Sequence, residues 1–478
     1  MFFNSIEFLI FLPIVFVLYW FVFNKHLKQQ NLLILISSYF FYGWWDYRFL
    51  SLIILSTIVD YIIGLNIPKQ DSKKKQKILL LCSVFFNLGV LGVFKYYNFF
   101  IESWIDLFSS IGYDIKSVWT LNIILPVGIS FYTFQTMSYT IDIYRKLLNP
   151  TKDFISFASF VSFFPQLVAG PIERSVNLLP QILRKREFKY EQGVQGLRLI
   201  IWGMFKKVVI ADSLAPMVND IFGNYQDFGG GTLWLGLVYF SFQIYCDFSG
   251  YSDIAIGTSK LFGIELMSNF NFPFFSRNIS EFWRRWHISM TSWFTDYLYY
   301  PLRLKYRDSG YLTNIFVLLL YFIIIGLWHG DNWTFIAFGL YHGVFFTPTI
   351  IFPKFYKLKT KQISLNKFYP SIKELFQVGT TFIFITVGWI FFRSETLEDS
   401  FLYLYKILFE FNISGFKING MLYIIPFIIL DYLIRKDERN ILFTKNKLAN
   451  KSLFILIVIS IVLMFFKETS ADFIYFQF

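Results

Sequence analysis

Histidine is rare in this sequence, so its positions are informative. The chain of 478 residues has four: His26, His287, His329 and His342. His329 ends an apolar run, Ile-Gly-Leu-Trp-His-Gly at 325–330. With an unperturbed pKa of about 6.5, histidine readily serves as a general base near neutral pH. An ionisable side chain at membrane depth is costly and indicates a functional site. A histidine bonded between two helices for packing fits the position equally well.

The densest group of charged and aromatic residues lies at 280–301. Arg284 and Arg285 are flanked there by tryptophans and are followed closely by His287. Adjacent arginines can bind phosphate groups through forked hydrogen bonds, while the indole rings line a pocket or stack on a base. Taken alone, the segment is more typical of an interfacial amphipathic helix whose arginines contact lipid phosphates.

The composition indicates a membrane protein. Hydrophobic residues make up 55% of the chain and charged residues 16%, whereas soluble domains carry about 25% charged residues. Two cysteines, Cys82 and Cys246, exclude a framework of several disulfides. The net charge of +12 comes mainly from basic residues between apolar runs. That pattern is typical of cytoplasmic loops, so we expect no nucleic-acid partner.

Twelve apolar runs are long enough to cross about 30 Å of hydrocarbon. They lie at 6–23, 31–46, 50–67, 78–98, 119–143, 195–211, 231–249, 312–329, 332–351, 372–392, 419–434 and 452–466. The basic clusters between them all fall on one side if both termini lie outside. The first run lacks a basic start and a small-residue cleavage site, which favours a retained span over a signal peptide.

Two further stretches, 154–171 and 251–300, do not fit simple spans. Pro165, Gly170 and Pro171 interrupt the first, and the second consists of short apolar pieces broken by Gly, Pro, Asn and Arg. Irregular backbone at membrane depth survives where it is buried in protein or lines a cavity. We therefore expect re-entrant segments around a chamber, within a single domain covering 1–478.

Six motifs in order carry a resemblance to a known family. They are LPVGISFYTFQ (125–135), SFFPQLVAGPIER (162–174), FKKVVIAD (205–212), FQIYCDFSGYSDIAIG (242–257), EFWRRWHISMTSWFTDYLYYPL (281–302) and GLWHG (326–330). Together they resemble the membrane-bound O-acyltransferase (MBOAT) superfamily, above all the bacterial alginate and peptidoglycan O-acetyltransferase membrane subunits. The teichoic-acid D-alanylation membrane protein is a more distant relative.

The resemblance implies an all-α polytopic membrane protein. About 11–12 tilted transmembrane helices and re-entrant segments would surround a central pore in the bacterial cytoplasmic membrane. His329 matches the family's catalytic histidine and His287 its second characteristic histidine. The chain departs from the family pattern at 302–307, which replaces a usual Gly-Gly-Asn-Arg turn, and at 331–332, where a small residue is usual. The family's contacts to the donor phosphates are therefore not carried over at 302–307, and the residues at 331–332 alter the outer mouth of the pore.

The predicted reaction is acyl transfer across the membrane. A cytoplasmic acyl thioester such as acetyl-CoA is the expected donor substrate, with no bound cofactor or metal. His329 would act as general base, a role worth about 10²–10⁴-fold in rate. The expected donor-binding residues are Arg284, Arg285, Trp286, Lys305 and Arg307. The expected pore-lining residues are Gln135, Gln166, Asp247, Ser249, Asp296, Asn332 and Trp333.

The expected partners are membrane lipid, an extracytoplasmic SGNH or esterase-like acetyltransferase, and a surface polysaccharide or peptidoglycan as final acceptor. One alternative is transfer of D-alanyl or another acyl group from a carrier protein. A different class of function, a polysaccharide transporter or exporter, would use the same chamber as a permeation path. It predicts no dependence on an acyl donor.

The segment 467–478, expected outside as a C-terminal tail, ends in Ala-Asp-Phe-Ile-Tyr-Phe-Gln-Phe. Its Phe-x-Tyr-x-x-Phe pattern resembles the end of small accessory proteins that work beside the D-alanylation acyltransferase. That resemblance implies that Tyr475 accepts the acyl group transiently. Thiols have a pKa near 8.5 and phenols near 10, so a thioester, a tyrosyl ester and a sugar ester form a downhill series. An aromatic anchor at the membrane interface is the alternative.

Overall fold

The computed structural model describes residues 1–113, 120–121, 123–352, 369–413, 415, 417–465 and 473–474. Every regular element within these ranges is a helix, which confirms the predicted all-α class. The chain forms two compact units. The first comprises Met1–Gly193 with Thr258–Met267, and the second comprises Val194–Gly257 with Ser268–Phe478. The single domain 1–478 stays a prediction.

Six helices in the described part of the chain are long and apolar enough to cross a membrane. They are Leu27–Lys69, Lys73–Ser110, Tyr311–His329, Trp333–Ile351, Ile372–Arg393 and Lys447–Phe465, with shorter apolar helices at Ile6–Val22 and Ile418–Ile434. The predicted runs 31–46 and 50–67 both lie within the helical stretch Leu27–Lys69. The runs 195–211 and 231–249 are not among the six, and their helices carry buried lysines and aspartates.

The first unit contains nine α-helices that lie wholly within its described residues. They are α1 Ile6–Val17, α2 Leu27–Asp46, α3 Leu50–Asn66, α4 Lys73–Leu91, α5 Tyr97–Ser110, α6 Ile129–Tyr144, α7 Phe154–Ser162, α8 Phe164–Leu167 and α9 Ser175–Leu183. Helices α7 and α8 cover the predicted re-entrant stretch, and the chain is buried from 156 to 173. The helix breaks at Phe163, and Pro165 then lies in the first turn of α8, where a missing N–H leaves no bond unmade.

The second unit contains the remaining helices, although α10 begins and α12 ends in residues of the first. They are α10 Tyr190–Met204, α11 Asp212–Gly223, α12 Gly230–Leu261, α13 Ile279–Trp283, α14 Ile288–Phe294, α15 Tyr300–Lys305, α16 Tyr311–His329, α17 Trp333–Phe346, α18 Pro348–Ile351, α19 Ile372–Arg393, α20 Leu397–Phe409, α21 Met421–Ile434 and α22 Lys447–Phe465. A seven-residue π-helical segment, Phe205–Ala211, joins α10 to α11.

The prediction that the chain becomes irregular from 251 onward was wrong for its first part, since α12 continues to Leu261. Gly257 in this stretch, and Gly250 just before it, allow close helix packing. A Cβ on Gly257 would lie 2.5 Å from the backbone oxygen of Gly196 on α10. Another on Gly250 would lie 2.8 Å from that of Gly203. Small residues at these positions let two helix backbones approach each other.

The helices α16 and α17 form a tight hairpin that fixes the end of α16. A Cβ on Gly326 would lie 2.2 Å from the backbone oxygen of Phe335, and one on Gly339 would lie 2.2 Å from that of Phe322. In the turn, a Cβ on Gly330 would lie 2.1 Å from the Phe335 ring. Larger residues at these glycines would force the helices apart and displace the residue at the end of α16, His329.

Candidate active site

His329 is the last residue of α16 and is 3% exposed. Its ring lies against three aromatic side chains from three helices. The ring centroids are 4.9 Å apart for Trp328 on α16, 5.8 Å for Phe338 on α17 and 5.3 Å for Phe392 on α19. The imidazole is therefore held in an aromatic enclosure, in which a proton-accepting group is shielded from bulk water.

His287 lies between α13 and α14 and is fully buried. Its backbone adopts the left-handed region with φ of 45°, a conformation that costs energy for a residue other than glycine. Such strain persists where the surrounding structure imposes it, often at functional sites. The ring packs edge-on against Phe248 with centroids 4.6 Å apart and against Trp328 at 5.5 Å.

The side chain of Asn269 orients His287. Asn269 Oδ1 lies 3.1 Å from His287 Nδ1 and also accepts a hydrogen bond from the Ser289 hydroxyl at 2.8 Å. Asn269 Nδ2 donates to Ser252 Oγ at 3.0 Å. Because an amide oxygen can only accept, Nδ1 carries the imidazole proton and Nε2 is the acceptor nitrogen. Burial lowers the pKa of His287 to about 3, so this imidazole is neutral at physiological pH.

The structure thus brings the two predicted catalytic histidines into one cluster, with the indole of Trp328 in contact with both rings. The sequence could not show this contact, because 41 positions separate His287 from Trp328 along the chain. The cluster is built by α16 and by the α13–α14 segment, whose adjacent arginines predict donor binding.

In the second unit, residues of α13 to α16 line a cavity of about 400 Å³. Arg284 and Asp296, both predicted site residues, line it together with Leu318, Tyr321 and Phe322 of α16. The guanidinium of Arg284 donates to the backbone oxygen of Ser280 at 3.0 Å and to its hydroxyl at 3.2 Å. These bonds hold a cationic group at a cavity wall that is otherwise rich in aromatic and hydroxyl side chains.

The other predicted donor-binding residues lie elsewhere. Arg285 is buried and pairs with Glu281 at 2.8 Å, and Arg277 pairs with the same carboxylate at 2.8 Å. Burial acts to raise the pKa of Glu281, but its hydrogen bonds and ion pairs with the arginines lower it overall. Trp286 is buried and stacks on Phe282, with ring centroids 5.4 Å apart. These ion pairs and this ring contact stabilise the segment 277–286 internally.

Lys305 and Arg307, also predicted to bind the donor, are exposed. The guanidinium of Arg307 lies 3.2 Å from the carboxylate of Asp308, and both side chains are mostly in solvent. Neither residue lines the cavity. Of the five predicted donor-binding residues, all of which the structure describes, Arg284 is the one at the cavity wall.

The predicted pore-lining residues have varied surroundings. In the second unit, Asp247 and Ser249 on α12 are buried, and each contacts a lysine of the π-helical segment. Asp247 lies 2.9 Å from Lys207 Nζ, and Lys206 Nζ donates to Ser249 Oγ at 2.9 Å. These two side chains therefore have internal ionic partners.

Asn332 and Trp333 begin α17. Asn332 caps that helix by accepting from the Thr334 amide at 2.9 Å, and it donates to the backbone oxygen of Glu395 at 2.9 Å. Trp333 is 52% exposed. In the first unit, Gln135 and Gln166 are buried and both donate to the backbone oxygen of Phe160, at 2.5 Å and 3.3 Å. The pore-lining role of all these residues stays a prediction, and Tyr475 lies outside the described residues.

Sequence reasoning gave no role to two residues that the structure places beside the site. Asn269 carries no signal of its own in the sequence. His342 on α17 is fully buried, with ring centroids 5.0 Å from Trp283 and 4.5 Å from Phe338. Its signal was the scarcity of histidine and its position in the helix that follows His329. Among the described residues, no group of three or more His, Cys, Asp and Glu side chains could hold a metal ion.

Comparison with known proteins supplies the family. The family model described as MBOAT, membrane-bound O-acyltransferase family, matches residues 93–370. The probable alginate O-acetylase of Pseudomonas aeruginosa is 38% identical over 417 residues, covering 86% of this chain and 75% of that protein. The peptidoglycan O-acetyltransferase of Helicobacter pylori is 34% identical over 426 residues, covering 82% and 76%.

A teichoic acid D-alanyltransferase of Bacillus subtilis is 30% identical over 291 residues, covering 57% of this chain and 70% of that protein. The resemblance predicted from the six motifs is therefore confirmed, and it favours an enzyme over an exporter. With six helices in its described ranges able to cross a membrane, the chain is a multi-pass membrane protein that belongs to the membrane-bound O-acyltransferase family and is an O-acyltransferase.

Proposed function

We propose that this chain transfers an acetyl group from a cytoplasmic thioester, most simply acetyl-CoA, to a hydroxyl acceptor at the outer side of the bacterial cytoplasmic membrane. One observation carries the proposal: a cavity with a cationic wall and a buried histidine lie along the same helix. Tyr321 of α16 lines the cavity beside Arg284, and His329 ends α16. At 1.5 Å per residue, the rise from Tyr321 to His329 is about 12 Å.

His329 is the general base in this proposal. It takes the proton from the attacking hydroxyl as that oxygen forms a bond to the thioester carbonyl carbon. The carbon–sulfur bond then breaks, and the departing thiolate is protonated. The neutral imidazole of His287, oriented by Asn269, holds the site's geometry through Trp328. The aromatic enclosure excludes water, which would otherwise hydrolyse the thioester.

Arg284 is the proposed contact to the phosphates of the donor. A guanidinium with its stem fixed by Ser280 offers directed N–H groups that suit phosphate oxygens. Arg285 is occupied by Glu281 and in this proposal supports the segment without touching the donor. Lys305 ends α15 and Arg307 follows it. In this proposal their exposed charges raise the local concentration of an anionic donor.

The acceptor side is proposed from the names of the relatives and from the segment 467–478. Relatives named for alginate and for peptidoglycan O-acetylation support a polysaccharide as final acceptor. We propose Tyr475 as the first acceptor: its oxygen gains the acetyl group as the thiol leaves. A separate SGNH or esterase-like enzyme then moves the acetyl group to the polymer, with both termini of this chain outside. The covalent step divides one difficult transfer into two easier ones.

Purified protein in liposomes tests the proposal. Radiolabelled acetyl-CoA is supplied, and label that becomes bound to the protein through a hydroxylamine-sensitive ester is counted. We expect label in the wild type and in His26→Ala, a control that removes an exposed histidine, and none in His329→Ala. Labelling from an acylated carrier protein alone would favour the D-alanyl type of donor. Equal labelling of His329→Ala would contradict the proposed base.

A further inference from the structure

Two residues of the segment that follows α22 are described, and both are buried. Phe473 is 4% exposed and Ile474 is 3% exposed. A segment beyond the last helix is ordinarily polar and frayed unless other parts of the protein hold it in place. The contacts of these two residues therefore show which part of the chain holds this segment.

Both residues contact α12. The backbone N–H of Ile474 donates to Asp247 Oδ2 at 2.7 Å. The ring of Phe473 packs against Tyr251, with centroids 4.9 Å apart, and against Phe248 at 6.0 Å. Tyr251 is four residues after Asp247 and three after Phe248, so it adjoins both on the surface of α12. We call the surface formed by these three side chains the α12 slot.

The polar end of the α12 slot is a carboxylate with two different partners. Asp247 is 2% exposed, and its Oδ1 lies 2.9 Å from Lys207 Nζ. Lys207 also pairs with Asp212 at 2.8 Å. Lys207 compensates the buried charge of Asp247, while Oδ2 accepts the N–H of Ile474. A buried carboxylate left without such partners would be strongly destabilising. The slot is therefore suited to an extended peptide that offers one backbone N–H next to an aromatic side chain.

The α12 slot also adjoins the candidate active site. The ring of Phe248 contacts both Phe473 and His287, with a centroid distance of 4.6 Å to the imidazole. Phe248 therefore connects Phe473 with the histidine cluster. The next residue along the chain is Tyr475.

We propose that the α12 slot is a docking site for the segment after α22, and that Asp247 is the positioning residue that holds this segment beside His287. Docking itself rests on the contacts above. Its consequence for the reaction, presentation of Tyr475 to the histidines, rests on the proposed function.

Hydrogen exchange of the full-length protein in detergent tests the docking. The amide of Ile474 should exchange slowly in the wild type and about tenfold or more faster in Phe473→Ala and Tyr251→Ala, because a docked amide exchanges through local opening. Phe473→Ala leaves the ion pairs of α12 in place, so it is informative even if changes at Asp247 prevent folding. Asp212→Asn is the matched control: it alters the other carboxylate on Lys207 and should leave the exchange of Ile474 unchanged.

Asp247 variants test the positioning role. Asp247→Asn keeps an oxygen that can accept the amide, so it should retain slow exchange and most acetyl transfer. Asp247→Leu should lose both. Slow exchange of Ile474 in the inactive His329→Ala protein would show that docking does not depend on catalysis. If Ile474 exchanges at the rate of an unstructured peptide in the wild type, or is unaffected by Phe473→Ala, the inference is overturned. If docking holds while Tyr475→Phe is fully active, only the tyrosine relay fails.

Discussion

His287 Nδ1 donates a hydrogen bond to Asn269 Oδ1 at 3.1 Å. This bond leaves Nε2 as the nitrogen of the imidazole that can accept a proton. Asn269 in turn is held by Ser252 and Ser289. The orientation of His287 therefore depends on Asn269, which lies outside the six motifs. The backbone of His287 itself is in the left-handed region, with φ of 45°.

Replacement of Asn269 should reduce acetyl transfer without unfolding the protein. In Asn269→Leu the imidazole loses its acceptor, and we expect a loss on the order of 10- to 100-fold, because small displacements of a catalytic group are costly. Asn269→Asp keeps an acceptor oxygen and should retain much more activity. Transfer rates are compared at equal amounts of folded protein. A folded Asn269→Leu protein with wild-type activity would remove Asn269 from the site.

Arg284 and Arg307 should differ in their effect on donor binding. We expect Arg284→Ala to weaken acetyl-CoA binding by about tenfold, as for the loss of a charge-assisted hydrogen bond. Arg307→Ala, which removes an exposed guanidinium away from the cavity, should change affinity by much less. Binding to the wild type should also weaken as salt increases. Equal affinities for both variants and the wild type, measured by calorimetry, would return this segment to a lipid-contact role.

Glu281 should matter for stability. Glu281→Gln removes the buried carboxylate that Arg277 and Arg285 share, and Arg277 keeps Glu374 at 3.4 Å. Breaking a buried ion pair costs about 3–5 kcal/mol. The control Glu410→Gln alters a half-exposed pair with Lys406, where a change of about 1 kcal/mol or less is expected. Thermal unfolding in detergent compares the two. Equal melting temperatures would contradict this structural role.

The pH dependence of that contribution follows from the direction of the Glu281 pKa, which lies below its usual range. Stability from this carboxylate is fully present above its unfolded pKa of about 4.3 and is lost as the pH falls through the lower folded value. The melting temperature of Glu281→Gln should therefore approach that of the wild type on acidification. A difference that stays constant down to low pH would indicate another cause.

Parts of this structure could be predicted from the sequence because they depend on composition and on order along the chain. Apolar runs give helices, and Pro165 with its neighbours interrupts one of them. The motif GLWHG (326–330) marks His329 itself. The contacts among Asn269, His287 and Trp328 could not be predicted, since they join positions far apart in the sequence. Gly257 misled the prediction for 251–300, because a glycine that permits close packing of two helices looks the same as one that ends a helix.

Arg285 shows a second limit of sequence reasoning. Two adjacent arginines look equivalent in the sequence, but in the turn after α13 their side chains have different partners. Arg285 therefore meets the buried Glu281, whereas Arg284 meets the cavity. The charge pattern marks a cationic segment, but it cannot show which of its charges lies at the cavity wall.

Tyr475→Phe tests the proposed relay. The change keeps the aromatic ring and removes the hydroxyl, so we expect transfer to the polymer to fall to the level of His329→Ala. Tyr190→Phe, at an exposed position, serves as the control and should be fully active. Mass spectrometry of the peptide that contains Tyr475 should show an added acetyl group when the downstream transferase is absent. A fully active Tyr475→Phe protein would mean that the final acceptor reaches the site directly.

The most direct test of the whole account is the O-acetyl content of the surface polymer in cells that carry His329→Ala in place of the wild type. Membrane insertion and amount of protein are matched by immunoblot, and His26→Ala is the control. We predict that acetyl release from the isolated polymer falls to background in His329→Ala and stays at the wild-type level in His26→Ala. Acetylation near the wild-type level in His329→Ala would contradict the assignment of His329 as the catalytic base.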